Sequence, residues 1–437
     1  MLSGNENLID RHRRVLPSWV RPHYEEPLEL VSGEGCWVYD SDGKKYLDFF
    51  GGILTISIGH NVREITERVL EQLRRVAHSS TAYLIRNQVD LAERIAEASG
   101  IPSAKVFFVS SGSEANDTAL MLASCYRRSN QFLAFAGSYH GRTMADLAVT
   151  GISSWSPANF SGLNVAFVPP GDRVGDRSVG VPDDSYRLLL MSRARQVLDT
   201  AVNGDIAALI AEPILGVGGF VVPPQGYLAE LAAMVRSLGG LVIADEVQTA
   251  WGRTGLGMFA SVAEGMSPDI ITFAKGLANG LPIGGLVARP EVMESLGRLS
   301  ISTFGGNPLV AAAAMATLDY IEAHDLQSNA KAMGEVLLEG LRNELGGHPL
   351  VAEVRGRGLM VGLEVVEADG RPAPEAAASI MEEARQRGLL VGRGGVHANT
   401  IRLAPPLAIS EAEIRAGLER LLDAVEAALG SPKEPRT

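Results

Sequence analysis

Three short apolar runs organise the chain: residues 206–212 (IAALIAE), 240–246 (GLVIADE) and 269–275 (DIITFAK), each ending abruptly in a charged residue. Continuous apolar runs of this length read as strands buried on both faces of a parallel sheet, which leaves the charges at their carboxyl ends. In an open α/β sheet those ends border the ligand crevice. Glu212, Asp245 and Lys275 are therefore expected to converge on one pocket. An amine beside carboxylates at the edge of an apolar crevice suits carbonyl or imine chemistry.

The pattern elsewhere fits a sheet of this kind. Residues 1–30 are polar and broken by Pro17, Pro22 and Pro27, which predicts an extended arm. Residues 28–32, 36–40 and 45–49 read as strands, with Ser41-Asp42-Gly43 as the hairpin turn. The period then lengthens, and 62–76 and 87–98 read as amphipathic helices. From Lys105 strand and helix alternate. Strands are predicted at 105–109, 131–135, 164–168 and 283–288, and helices at 114–128, 186–202 and 227–238, with 169–185 a polar surface loop. Repeated βα units imply a mostly parallel sheet covered on both faces. Residues 308–345 read as helical, and 350–367, 400–403 and 411–429 return to strand and helix. The expected fold is α/β. Residues 61–325 form a large domain, inserted between two pieces of a smaller α+β domain, 1–60 and 326–437. The polar tail, 430–437, is expected to fray.

Composition narrows the classes of function. Of 437 residues, 46% are hydrophobic and 21% charged, so the chain has ample material for a core. A formal charge of −12 disfavours nucleic acid and acidic membranes as partners. Cys36 and Cys125 lack metal-ligand spacing and read as reduced thiols of a cytoplasmic protein. His60 and His140 have no partners at metal spacing, so no metal is expected. The polar residues 1–14 predict no signal peptide, and with no run of about 18 apolar residues no membrane span is expected.

Several motifs carry candidate chemistry, each with a plainer alternative. Ser110-Ser111-Gly112-Ser113-Glu114 lies between a strand and a helix. Its small residues suit a phosphate seat at a helix N-terminus, and its serines would equally serve as a helix cap. Asp245-Glu246 could be a nucleotide-metal pair, but no GxxxxGK[ST] loop occurs, and no GxGxxG turn follows a strand. A phosphorylated cofactor smaller than a dinucleotide remains. Lys275, desolvated at a strand end, would have a lowered pKa and a nucleophilic amine. Tyr139 could stack on a planar ring or simply pack at the sheet rim. Thr303-Phe304-Gly305-Gly306-Asn307-Pro308 is a helix entry or a second phosphate donor. Arg402 is a carboxylate clamp or a structural ion-pair partner.

Taken together, SSGSEAND (110–117), SYHGRT (138–143), AEPILGVGGFVVPP (211–224), IADEVQTAWGRTG (243–255), FAKGLANGLPIGG (273–285) and TFGGNP (303–308) resemble the class III (subgroup II, ω-amino-acid type) aminotransferases. These are pyridoxal-phosphate enzymes of fold type I, with a large domain on a mostly parallel seven-stranded sheet. The similarity keeps the family's order and spacing from about Val38 to Pro406. The segment LDFFGGI (47–53) and the RLAPP end look most like the alanine–glyoxylate and β-alanine–pyruvate branch. The chain departs from the usual pattern at Ala250-Trp251, where Gly-Phe is common, at Leu215, where Gln is, and at Val62-Arg63, where His-Pro is.

The resemblance implies pyridoxal 5'-phosphate as cofactor and assigns roles. Lys275 would be the Schiff-base lysine and proton carrier, and Asp245 would hold the ring nitrogen protonated. Gln248 would contact the ring's phenolic oxygen, Tyr139 would stack on the ring, and Gly112 and Ser113 would hold the phosphate. Thr303 would reach the phosphate of a neighbouring subunit, implying a homodimer or dimer of dimers. Arg402 would bind a substrate carboxylate, and Glu212 would be a gate pairing with Arg402 when an ω-amino substrate leaves it free. The implied reaction moves an amino group from an amino acid or ω-amino donor to a keto acid or aldehyde. Decarboxylation and epimerisation on the same cofactor are the alternative outcomes.

Overall fold

The protein is described by a computed structural model covering residues 7–157 and 162–430. Its centre is a seven-stranded sheet. In spatial order the strands are Lys105–Val109, Gly284–Ala288, Ile270–Phe273, Leu241–Asp245, Ile206–Ala211, Gln131–Phe135 and Asn164–Val168. The three apolar runs that end in charge occupy adjacent places and run parallel, Ala208 beside Leu241 and Ile243 beside Ile270. Their carboxyl ends therefore lie side by side. One strand departs from the parallel rule. Gly284–Ala288 is antiparallel to both of its neighbours.

Alternation within each strand divides the core in two. Leu209, Val242, Ala244, Ile271 and Phe273 face one layer, together with Tyr186, Leu190, Leu231 and Val235 from helices Asp183–Ala201 and Tyr227–Ser237. Ala208, Ile210, Ile243 and Ile270 face the other, against Ala119, Leu120 and Ala123 of helix Gly112–Arg127. Both faces are covered, so nearly every strand position is apolar and buried. The charged residues appear only where the strands stop.

Two smaller sheets lie outside this one, and the first combines strands from both ends of the chain. Strands Leu30–Glu34, Trp37–Asp40 and Lys45–Asp48 form an antiparallel ladder that is extended in parallel by Leu389–Leu390. Another sheet joins Val351–Arg357, Met360–Val365, Thr400–Leu403 and Gly392–Gly394, so 350–367 is a hairpin turning at Gly358 (φ +54°).

Three local features differ from the sequence expectation. The arm holds a short helix, Leu8–Val15, whose first turn is capped by the Asn7 side chain, because the prolines lie beyond it and leave its pattern intact. Helix Pro374–Gln386 was not foreseen, although Pro374 at its first position and a stripe of Ala377, Ile380, Met381 and Ala384 specify it. At Gly51, Gly52, Ile53 and Leu54 four successive residues take positive φ, a left-handed turn joining Phe50 to Thr55. The predicted fraying of the tail falls on residues 431–437, outside the described part.

Candidate active site

The three strand ends open onto a cavity of about 380 Å³ lined by Gly112, Ser113, Tyr139, Glu212, Asp245, Gln248 and Lys275, among others. Seven of the nine site residues expected from the sequence thus meet in one place. Thr303 is exposed on the surface outside the cavity. Arg402 is buried, at 6% exposure, and is not among the residues that line the cavity.

Asp245 is the best-anchored group. Its Oδ1 accepts from the Val247 N–H at 3.0 Å, and its Oδ2 accepts from His140 Nδ1 and Asn116 Nδ2, both at 2.7 Å. Asn116 is oriented in turn by Thr272 Oγ1, which donates to Asn116 Oδ1 at 2.6 Å. Donors of this kind stabilise a charged carboxylate in a buried place and fix its direction. Burial opposes a charge on His140, but the hydrogen bond and charge of Asp245 outweigh it and raise the imidazole pKa. Neither Asn116 nor the supporting role of His140 was read from the sequence. The available signal was a polar residue inside the apolar stripe Ala115, Ala119, Leu120 and Ala123 of its helix.

Lys275 follows strand Ile270–Phe273 through a sharp change of direction, with Ala274 at φ −166°, ψ −140° and Lys275 itself at φ +44°. Its side chain opens to the cavity while protein surrounds it. Burial brings its amine down to about 8, against the opposing charges of Asp245 and Glu212. No hydrogen bond or ion pair holds the ammonium among the described residues. Trp251 buttresses the turn: its Nε1 donates to the Ala274 carbonyl at 3.3 Å, and its ring meets Phe273 edge-on at 5.5 Å.

At the other end of the cavity, Ser111 caps helix Gly112–Arg127 by accepting from Glu114 N–H at 3.2 Å, and Ser110 N–H donates to Glu114 Oε2 at 2.7 Å. The cap is real, and it leaves the N–H groups of Gly112 and Ser113 without partners among the described residues. Unpaired amides at the positive end of a helix form an anion seat. Space there is tight, since a Cβ on Gly112 would lie 3.0 Å from Val247 Cγ1. Gln248 presents at the cavity wall a buried Oε1 without a partner among the described residues. An anion seat, a desolvated amine, an anchored carboxylate and an unsatisfied amide fit a phosphorylated aromatic aldehyde.

Glu212, expected as a gate toward Arg402 once an ω-amino substrate is bound, is held here by backbone donors. Glu212 Oε1 accepts from Tyr139 N–H at 3.0 Å and Oε2 from Gly216 N–H at 2.8 Å, and no ion pair joins it to Arg402. The carboxylate is held by backbone donors because it sits at a turn whose amides converge on it, and burial pushes its pKa up. Arg402 instead donates from Nη1 to the Gly216 carbonyl at 3.3 Å, keeps a buried, unpaired Nε, and lies 5.5 Å from the Phe220 ring and 5.9 Å from Phe50. Burial lowers its pKa to about 10, against the charge of Glu212.

A lysine at a strand end, an anchored aspartate and a helix N-terminal anion seat on a seven-stranded sheet define a fold type I transferase. The family model "Aminotransferase class-III" matches residues 20–425, and the chain belongs to that family and is an aminotransferase. It is 34% identical to alanine–glyoxylate aminotransferase 2, mitochondrial, of Homo sapiens, over 95% of this chain and 85% of the relative. It is also 34% identical to an alanine/serine racemase of Pyrococcus horikoshii, over 96% of this chain and 90% of the relative. Among solved structures it resembles an amine transaminase from an uncultivated Pseudomonas species in its PLP-bound form. The TM-score is 0.86 and the identity 30%, covering 95% of this chain and 98% of that one.

Proposed function

We propose that this aminotransferase uses pyridoxal 5'-phosphate and transfers an amino group between an amino acid or ω-amino donor and a small keto acid or aldehyde of the pyruvate, glyoxylate or 2-oxoglutarate type. The observation that carries this reading is the pairing, in one cavity, of a desolvated and unpartnered Lys275 with an Asp245 whose carboxylate is held by three donors. The cofactor, when bound, supplies an electron sink that lets an amino-bearing carbon lose its proton.

The chain's residues divide the remaining work. Gly112 and Ser113 would hold the phosphate by their N–H groups. Asp245 would keep its charge against the ring nitrogen and so hold that nitrogen's proton, while Gln248 would contact the ring oxygen and Tyr139 would lie against the ring. Lys275 Nζ, with a pKa brought down to about 8, would bind the aldehyde carbon and later carry the proton of the substrate. Arg402, with an unpaired Nε inside an aromatic surround, would take a substrate carboxylate.

We also infer a homodimer or dimer of dimers. Leu84 and Leu299 are fully exposed, and Ile301 and Phe304 flank the exposed Thr303. Large apolar side chains gathered in this way mark a surface covered by another subunit. Sedimentation of the purified protein tests it.

Racemisation is a second reading, favoured by the racemase relative. The deciding experiment incubates cofactor-loaded protein with a panel of donors and each of pyruvate, glyoxylate and 2-oxoglutarate. Transamination gives keto product from the donor and an equal amount of new amino acid from the acceptor. Loss of donor chirality without keto product overturns the reading.

A further inference from the structure

Gly216 is buried in the turn that follows Glu212, and three site residues use it at once. Its N–H donates to Glu212 Oε2 at 2.8 Å, and its carbonyl accepts from Arg402 Nη1 at 3.3 Å. The amide of Gln248 lies directly against its Cα. A Cβ on Gly216 would fall 2.0 Å from Gln248 Nε2, 2.2 Å from Cδ and 2.5 Å from Oε1, and these are its three nearest atoms. Gly216 is not among the residues with positive φ, so its backbone does not itself require glycine. The bare Cα is therefore there for the neighbour. No hydrogen bond fixes the Gln248 amide among the described residues, and its Oε1 is buried and unpaired.

We propose that Gly216 is a positioning residue. Its missing side chain is the slot in which Gln248 presents its amide to the cofactor, and its peptide ties that slot to Arg402 and Glu212. The inference rests on the reading of Gln248 as a cofactor contact given above. An alanine at 216 leaves the chain's course possible but pushes the Gln248 amide out of the slot. The collision is with the free end of a flexible side chain, so the cost is displacement and not loss of the fold.

The test is a double-mutant cycle of Gly216→Ala and Gln248→Ala, read in two ways. One reading is the thermal midpoint of the cofactor-free protein, and the other is the wavelength and pH titration of the visible band after pyridoxal 5'-phosphate is added. Gly216→Ala is expected to lower the midpoint by about 2 °C or more and to move the band in the same direction as Gln248→Ala. In the Gln248→Ala background it should do neither, because the atoms it strikes are gone. Equal effects of Gly216→Ala in both backgrounds overturn the proposal, as does no effect in either. If Gly216→Ala does not fold, the double variant still must, and its failure also overturns the proposal. A Gln248→Ala protein with an unchanged band refutes the cofactor role of Gln248, and with it the proposed purpose of the slot. The thermal cycle then still reports the contact separately.

Discussion

His140 Nδ1 lies 2.7 Å from Asp245 Oδ2, and both side chains are closed off from solvent. The imidazole is one of three donors on that carboxylate, and its own Nε2 is buried without a partner among the described residues. His140→Phe keeps a ring in the space and removes the donor. Leaving a buried charged acceptor short of one hydrogen bond costs about 1–3 kcal/mol. Pyridoxal 5'-phosphate should therefore bind about ten- to a hundredfold more weakly, as measured by titrating the cofactor-free protein. Unchanged affinity would mean that Asn116 and Val247 suffice.

Lys275 should show its environment in a pH profile. Its pKa, about 8, lies below the ordinary 10.5 because burial disfavours the ammonium. In the cofactor-free protein, acylation of Lys275 followed by peptide mass spectrometry should rise through pH 8. The unfolded chain holds the extra proton between about 8 and 10.5, so this lysine's contribution to stability increases with pH across that window. A profile centred near 10 contradicts the desolvated site. Lys275→Ala should abolish amino transfer.

Trp251 is buried at φ +64°, a left-handed conformation that costs a non-glycine residue about 1–2 kcal/mol. Its indole N–H reaches the carbonyl immediately before Lys275. Trp251→Phe preserves most of the packing on Phe259 and Phe273 but removes one of that carbonyl's two donors, leaving the Leu277 N–H at 3.3 Å. Chemical denaturation should show a loss of about 0.5–1.5 kcal/mol, the net worth of one hydrogen bond. A loss near zero would show that the indole contributes only its bulk.

Glu212 distinguishes two roles. A gate would change donor preference when removed and leave the protein otherwise intact. In the structure both carboxylate oxygens instead serve backbone N–H groups, of Tyr139 and Gly216. Glu212→Ala should then lower the thermal midpoint and weaken cofactor binding, because it frees the backbone beneath Tyr139. If it shifts the preference between ω-amino and α-amino donors with no loss of stability, the gate reading is the right one.

Much of this was legible in the chain. The apolar runs gave the strands, and their abrupt charged ends gave Glu212, Asp245 and Lys275, because a strand buried on both faces has room for charge only where it leaves the sheet. The early arm and the helix at Pro374–Gln386 were less legible. Their patterns are short, and prolines and loops interrupt the period.

What the sequence could not reveal was which polar groups hold one another. Asn116 and His140 lie far from Asp245 along the chain; the stacking of helix Gly112–Arg127 on the sheet brings the first to its carboxylate, and the loop after strand Gln131–Phe135 brings the second. In this structure Glu212 and Arg402 are not paired with each other, for the same kind of reason. A turn closes between them, and the peptide of Gly216 occupies both partners. Residue types and strand ends are local properties of the chain. Hydrogen-bond partners are chosen by distances that exist only after packing.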